Sequence, residues 1–316
     1  MNPLDELAKK TDALERVDDN YPFQRRARIL QSLWRIERGF PIHIEPSGKR
    51  RGACIERKFA EQSLSNYLTD DIRSVVREEV LGPKRTGKLY GKPRIFYHLL
   101  SSQPMVFNLF AALSLDLPLT TKVFAELSRG RCQQVTRIEF EHSPGRRNPE
   151  YLGDRSAFDV YIEYMGRTGP GIVGIEVKYH ENMDNEDPKD EAKGPNPRYD
   201  EVANRAECFI VSKRAQLKEK PLQQVWRDHL LVASILQRDK HSFREGFFAF
   251  LSPKANDACN TAIASYQSCL SCCDTFEHWT LEQVVEAIQR VSDDAWVTDF
   301  RDRYLGFHKV DDRLSC

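Results

Sequence analysis

The 316-residue sequence predicts an α/β fold: a mixed β-sheet core flanked by helices, with further helical regions before and after it. Three observations carry this. The stretch DRSAFDVYIEYMGRTGPGIVGIEVKYHE (154–181) reads as two adjacent strands joined by a Gly/Pro-rich connection. The stretch EKPLQQVWRDHLLVASILQRDK has a helical rhythm, and GFFAFLSP after it is apolar enough for a buried strand. With the strand candidate QVTRIEFEH upstream, the order is helix, three strands, helix, strand.

Taken in order, the chain begins with a peripheral helical region to about Lys58. In PFQRRARILQSLWRIERG, Leu30, Leu33, Trp34 and Ile36 recur at helical spacing among arginines, and Gly39 and Pro41 mark the end. Its positive side suits either solvent or phosphate. The next stretch forms helices with Phe59, Leu64, Leu68, Ile72 and Val76 turned inward, and PKRTGKLYGKP is a basic, turn-rich connector. Pro104 is expected to split the apolar run after Arg94 into short helices on either side of Asn108. Another helix runs from about Leu119 to Leu127 with Glu126 beside its apolar stripe.

In the first sheet candidate Val135, Arg137, Glu139 and Glu141 alternate with Thr136, Ile138 and Phe140. The loop SPGRRNPEYLGDRS then offers Arg146, Arg147 and Arg155 either to phosphates or to Glu139, Glu141 and Asp154. The polar excursion NMDNEDPKDEAKGPNPRYD borders the site region, and Val202–Glu207 adds a short helix. NDACNTAIASYQSCLSCCD and TLEQVVEAIQRV read as helices, the second starting near Trp279 or Thr280.

Lys plus Arg equal Asp plus Glu at 47 each, which argues against a nonspecific nucleic-acid coat more than against an enzyme with clustered basic residues. No apolar run is long enough to cross a bilayer and the polar start lacks a signal-peptide core, so a cytoplasmic protein with reduced thiols is expected. Cys259, Cys269, Cys272 and Cys273 read as buried or incidental thiols rather than four convergent cluster ligands.

Period-two alternation places Asp159, Tyr161 and Glu163 on one strand face and Phe158, Val160 and Ile162 on the other. Ile172, Gly174, Glu176, Lys178 and His180 share a face opposite Val173, Ile175, Val177 and Tyr179. Asp159, Glu176 and Lys178 could be solvent-facing sheet residues paired across strands. Glu176 and Lys178, however, interrupt a run that otherwise reads as buried, where charge is rarely placed without a partner. Two carboxylates and a lysine so arranged can hold a divalent ion beside a phosphate.

This pattern, Asp159 on one strand and Glu176-x-Lys178 on the next within that helix–strand order, resembles the restriction-endonuclease-like PD-(D/E)xK nuclease superfamily. FEHSPGRRNPEYLGDRSAFDVYIEY followed by GIVGIEVKYHE looks like a bacterial restriction-endonuclease subgroup. The resemblance implies a nuclease core over 118–253, a predominantly helical region packed on it over 1–117, and a helical extension over 254–316. It implies a magnesium-dependent DNA endonuclease, with manganese as a substitute ion, of use in restriction or foreign-DNA defence. The alternative is a nucleic-acid-binding module that kept the scaffold and lost turnover. Asp159 and Glu176, with the Val177 carbonyl, would hold the metal, and Lys178 would orient water or stabilise phosphate charge. Glu126 matches the acid of the first core helix, with Glu139 and Glu141 as competitors. Asp154, His180, Glu181, Gln223 and Arg227 are supporting positions, although Arg227 stands where one exonuclease branch has tyrosine. DNA is the expected partner, with RNA open, and cutting both strands would call for a homodimer.

Overall fold

The computed structural model describes residues 2–14, 22–83, 88–183, 196–272 and 274–315. The chain opens with α1 (Pro3–Lys10), started by the Asn2 side chain accepting from the Leu4 N–H, and α2 (Pro22–Glu37). A hairpin of β1 (Ile42–Ile44) and β2 (Arg50–Ile55) follows where only a turn-rich stretch was expected. Then come α3 (Arg57–Ser63), α4 (Asp70–Val76), which runs on into a wider turn over Arg77–Leu81, and the short α5 (Arg94–Tyr97). Helix α6 (Ser102–Leu115) is continuous. Pro104 lies in its first turn, where an N–H has no partner to lose, so it does not split the helix as expected.

Helix α7 (Leu117–Leu127) leads into β3 (Gln134–His142), β4 (Phe158–Met165) and β5 (Pro170–Val177). After α8 (Pro197–Ala206) and α9 (Arg214–Leu217), α10 (Gln223–Arg238) precedes β6 (Glu245–Ser252). The last part comprises α11 (Asp257–Gln267), β7 (Phe276–Thr280), α12 (Leu281–Gln289), α13 (Ala295–Leu305) and α14 (His308–Leu314). Thr280 starts α12 through a reciprocal cap with Gln283. The extension expected to be helical therefore also supplies a strand.

The five strands are ordered β3-β4-β5-β6-β7, antiparallel through β5 and parallel from β5 to β7. Two cores cover the sheet. Val160, Ile162, Val173, Ile175, Val177, Phe247 and Leu251 face one that includes Phe107, Phe110, Phe124, Val284 and Tyr304. Ile172, Phe248 and Phe250 face the other, with Trp226, Leu230, Ile263 and Tyr266. The mixed, two-sided sheet is the predicted one.

Four side-chain placements differ from strict alternation or helical spacing. The register of β3 shifts between Val135 and Arg137, so Val135 and Phe140 end in the same core although alternation opposes them. Phe158 packs with Tyr161 in the second core, over Gly174, rather than with Val160 and Ile162. Phe59 is exposed, as is Ile36 at the end of α2.

Helix α2 is buried on nearly every side, arginines included: Arg28 and Arg35 lie inside with Gln24, Gln31 and Ser32. Arg35 donates to the Gly52 and Phe40 carbonyls at 2.8 and 2.7 Å, and Arg26 pairs with Asp311 at 2.7 Å. Those two cations serve the fold. Among the described residues no single helix is long and apolar enough to cross a membrane.

Candidate active site

The sheet register brings three chain segments to one end. β4 starts there, and β3 and β5 finish there, since His142 pairs with Phe158 and Val160 with Ile175. This is the carboxyl end of the parallel strands, where α/β sheets commonly carry their sites.

Asp159, the second residue of β4, accepts a hydrogen bond at Oδ2 from the Val177 N–H at 2.9 Å. On the next strand Glu176 is buried, and its Oε1 accepts from Gln224 Nε2 at 2.7 Å and pairs with Lys178 Nζ at 2.9 Å. Among the described residues the other oxygen of each carboxylate has no hydrogen-bond partner. Lys178 extends the parallel ladder one residue past β5 through its N–H to the Leu251 carbonyl, 2.9 Å. The turn beyond is tied down: Glu181 accepts from the Tyr179 N–H at 2.8 Å, and Asn256 Nδ2 donates to the Tyr179 and Glu181 carbonyls at 3.0 and 3.1 Å.

These charges are strongly coupled. Burial, then repulsion from Glu176 and Glu141, raises the Asp159 carboxyl well above its ordinary value. Burial disfavours the Lys178 ammonium, but Glu176 and Glu181 outweigh it and hold the lysine protonated. Burial raises Glu141 as well, against the pull of Arg146, whose Nη2 lies 2.5 Å from Glu141 Oε1. Glu141 sits at φ +47°, a backbone region that favours glycine. Such strain collects where a side chain must be aimed against the regular pattern.

Three acids thus crowd one sheet end, and Asp159 resists ionisation there because burial and the neighbouring Glu176 and Glu141 outweigh the pull of Lys178. The donor set fits a hard divalent ion: carboxylate oxygens, with no soft ligand beside them. Among the described residues no group of three or more His, Cys, Asp or Glu is placed to hold a metal ion by itself. Two carboxylates and a backbone carbonyl suit an ion that keeps water or phosphate oxygens in its remaining positions.

Glu126 is not brought to this cluster. It lies at the far end of α7 with its side chain partly exposed and pairs with Arg290 of the α12 terminus. Glu141 is the acid electrostatically coupled to Asp159. Glu139 is held by His142 at 2.5 Å and by Arg137, and the His142 hydrogen bond brings its pKa down to about 2. Asp154 accepts from the Ser156 N–H and hydroxyl, both at 2.8 Å, and from the Tyr199 hydroxyl, fixing the loop before β4. Of the loop arginines, Arg146 pairs with Glu141 while Arg147 and Arg155 are exposed. His180 Nδ1 lies 3.6 Å from Glu181 Oε2. Arg227 lies beside Asp228, 3.9 Å away, and Gln223 opens α10 one residue before the amide that reaches Glu176.

Gln224 is a residue that helical spacing passes over: it lies roughly 100° around the helix from Gln223. The described part of the basic connector also reaches the site, since the Leu89 backbone hydrogen-bonds Glu141 and Lys88 pairs with Glu79 at 2.7 Å. Residues 84–87, the polar stretch 184–195 and Cys273 lie outside the described residues. Cys259 and Cys269 are buried in the second core and Cys272 is exposed.

Compared with known proteins, the chain matches the family model of the PD-(D/E)XK nuclease superfamily over residues 17–306. That span takes in most of the helical regions on both sides of the strands as well as the strands themselves. No curated protein and no solved structure matches the chain.

Proposed function

Because the chain belongs to the PD-(D/E)XK nuclease superfamily, we propose that it is a magnesium-dependent DNA endonuclease acting in restriction or foreign-DNA defence. Its family is one of nucleases, so nucleic acid is the substrate class and divalent-metal dependence the general rule. The observation that carries the finer reading is the crowding of Asp159, Glu176 and Glu141 at the carboxyl end of the sheet beside a protonated Lys178.

Asp159 and Glu176 would hold the ion through their unpaired oxygens, with the Val177 carbonyl as a further ligand. Magnesium, or manganese in its place, supplies an acidified water and neutralises charge on the phosphate. Lys178, fixed by Glu176 at 2.9 Å, presents a compact positive charge to the phosphate and orients the attacking water. Gln224 keeps Glu176 Oε1 engaged and so turns Oε2 toward the ion. Glu141, rather than Glu126, takes the part of the additional acid, with Arg146 covering it until substrate enters. Arg147 and Arg155, exposed on the same loop, are placed for backbone phosphates.

The test is cleavage of linear, circular, single-stranded and branched DNA, with RNA alongside, in magnesium, manganese or chelator. Parent protein that cuts DNA internally only with metal, against an inert Asp159→Ala variant that still folds, is the expected result. Undiminished cleavage by Asp159→Ala would reject the role of that carboxylate. Binding without turnover under every condition would replace the enzyme by a recognition module.

A further inference from the structure

We propose that His142 is a stacking platform for the substrate base beside the phosphate that is cut, so that the favoured substrate is a strand in which that base is unpaired. The proposal rests on the nuclease reading and narrows its substrate class. His142 closes β3 opposite Phe158, the residue before Asp159, and follows Glu141. Residues facing one another across an antiparallel pair stand about 5 Å apart, so the ring lies within one residue step of the acids.

Three rings run parallel from the core to this end of the sheet. Phe158 is fully buried, and Tyr161 lies against it with 6.2 Å between centroids and 14° between planes. His142 covers Tyr161 at 4.0 Å, again with 14° between planes, and its side chain is 19% exposed. The stack therefore ends in a flat ring at the surface.

Two features set His142 apart from ordinary packing. Alternation from Glu139 would send it to the face of Ile138 and Phe140, yet it lies with Glu139 and Tyr161. Glu141, between them, takes the left-handed conformation at φ +47° that allows this turn of the chain, a strained one for a residue with a side chain. The ring is also fixed in its own plane: Nδ1 is 2.5 Å from Glu139 Oε2, and Glu139 is held in turn by Arg137, which reaches Glu163 at 3.1 Å. Among the described residues Nε2 has no hydrogen-bond partner, so the ring is anchored from one edge only.

A rigid, flat, partly open ring next to the acids suits a nucleobase, which hangs one sugar away from its phosphate. Every base offers a π-face, so such a contact tolerates sequence. Inside a continuous duplex both faces of a base are covered by its neighbours. Only a base at an unpaired position, a flap or an end can turn one face to His142.

The test uses the full-length protein in magnesium on a short DNA that it cuts, with the opposing strand either intact or lacking the nucleotide opposite each position flanking the cut in turn. Freeing one particular base should raise the parent's kcat/KM about tenfold. Replacing that same base by an abasic residue should remove the gain, as should His142→Ala, whereas His142→Phe, which keeps the ring and gives up Glu139, should retain it. A parent that cuts every paired and unpaired form alike, a gain that survives the abasic residue or His142→Ala, or a His142→Phe variant as poor as His142→Ala would overturn the platform and leave the nuclease intact. The abasic comparison is made on the parent and decides the matter even where His142→Ala fails to fold. A parent that cuts nothing overturns the nuclease reading and the platform together.

Discussion

Replacing Gly174 by alanine should damage the site through the sheet rather than through its chemistry. A Cβ there would stand 2.3 Å from Phe158 Cε1, 2.5 Å from Cδ1 and 2.7 Å from Cζ. Ordinary carbon contacts need about 3.5 Å, so ring and strand must part by roughly 1.2 Å. Phe158 has no solvent to retreat into, being fully buried and stacked on Tyr161 at 6.2 Å between centroids. Overpacking of this kind costs about 1–3 kcal/mol, which at this chain length lowers Tm by several degrees. Asp159 is the next residue, and a shift of about 1 Å in a reacting group costs about 100-fold in rate. Gly171→Ala is the control: its Cβ would press on Tyr164 Cζ at 2.5 Å, but at the opposite end of β5. Urea unfolding and initial cleavage rates, measured on both variants, should show similar destabilisation and a large rate loss in Gly174→Ala alone. Parent-like stability of Gly174→Ala, or equal rate losses in the two, would refute the argument.

Three further outcomes follow from the charges. The Asp159 pKa is raised on folding, so its contribution favours the metal-free fold at acid pH and is lost as pH rises through the folded value. Asp159→Asn should therefore be more stable than the parent without metal at neutral pH and equal to it in acid, whereas magnesium at a hundredfold excess over Kd should stabilise the parent by about 2.7 kcal/mol over its own metal-free form and leave the variant unchanged; thermal unfolding with a magnesium response in the variant would contradict this. Glu141→Gln should weaken cleavage at least tenfold, whereas Glu126→Gln, which removes only an exposed surface pair with Arg290, should leave the rate near the parent's; the reverse ranking would restore Glu126 to the site. Gln224→Ala should raise the magnesium needed for half-maximal activity about 10–100-fold while Gln223→Ala does not, and identical metal titrations would remove Gln224 from the site's support.

The core was legible where periodicity and burial reinforce one another. GIVGIEVKY reads as a buried strand because its charges are the exception, and the same contrast singles out Glu176 and Lys178. Asp159 is readable because its strand partner is adjacent in sequence. Glu141 is ambiguous in sequence, since a register shift in β3 and a left-handed backbone at the residue itself remove it from simple alternation. Gln223 and Gln224 are chemically identical, and only the rotation of α10 on the sheet selects the second. The hairpin of β1 and β2 carries no clean alternation, and β7 is too short and polar in FEHWT to stand out from its helical surroundings. Pro104 misleads for a local reason: a proline that breaks a helix interior is welcome in its first turn.

The hold on Tyr179 has a consequence for how the protein is made. This residue, next to Lys178, hydrogen-bonds through its hydroxyl to the Tyr304 carbonyl at 3.2 Å and receives Gln31 Nε2, while Arg303 reaches back to Asn66 and stacks on Trp34 at 4.0 Å. A chain emerging from the ribosome has all its acids once residue 176 is out, yet the floor beneath them waits for residue 304. Assembly of the floor beneath the proposed site therefore waits on residues more than a hundred positions downstream of its acids, so that a chain lacking them carries those charges without that support.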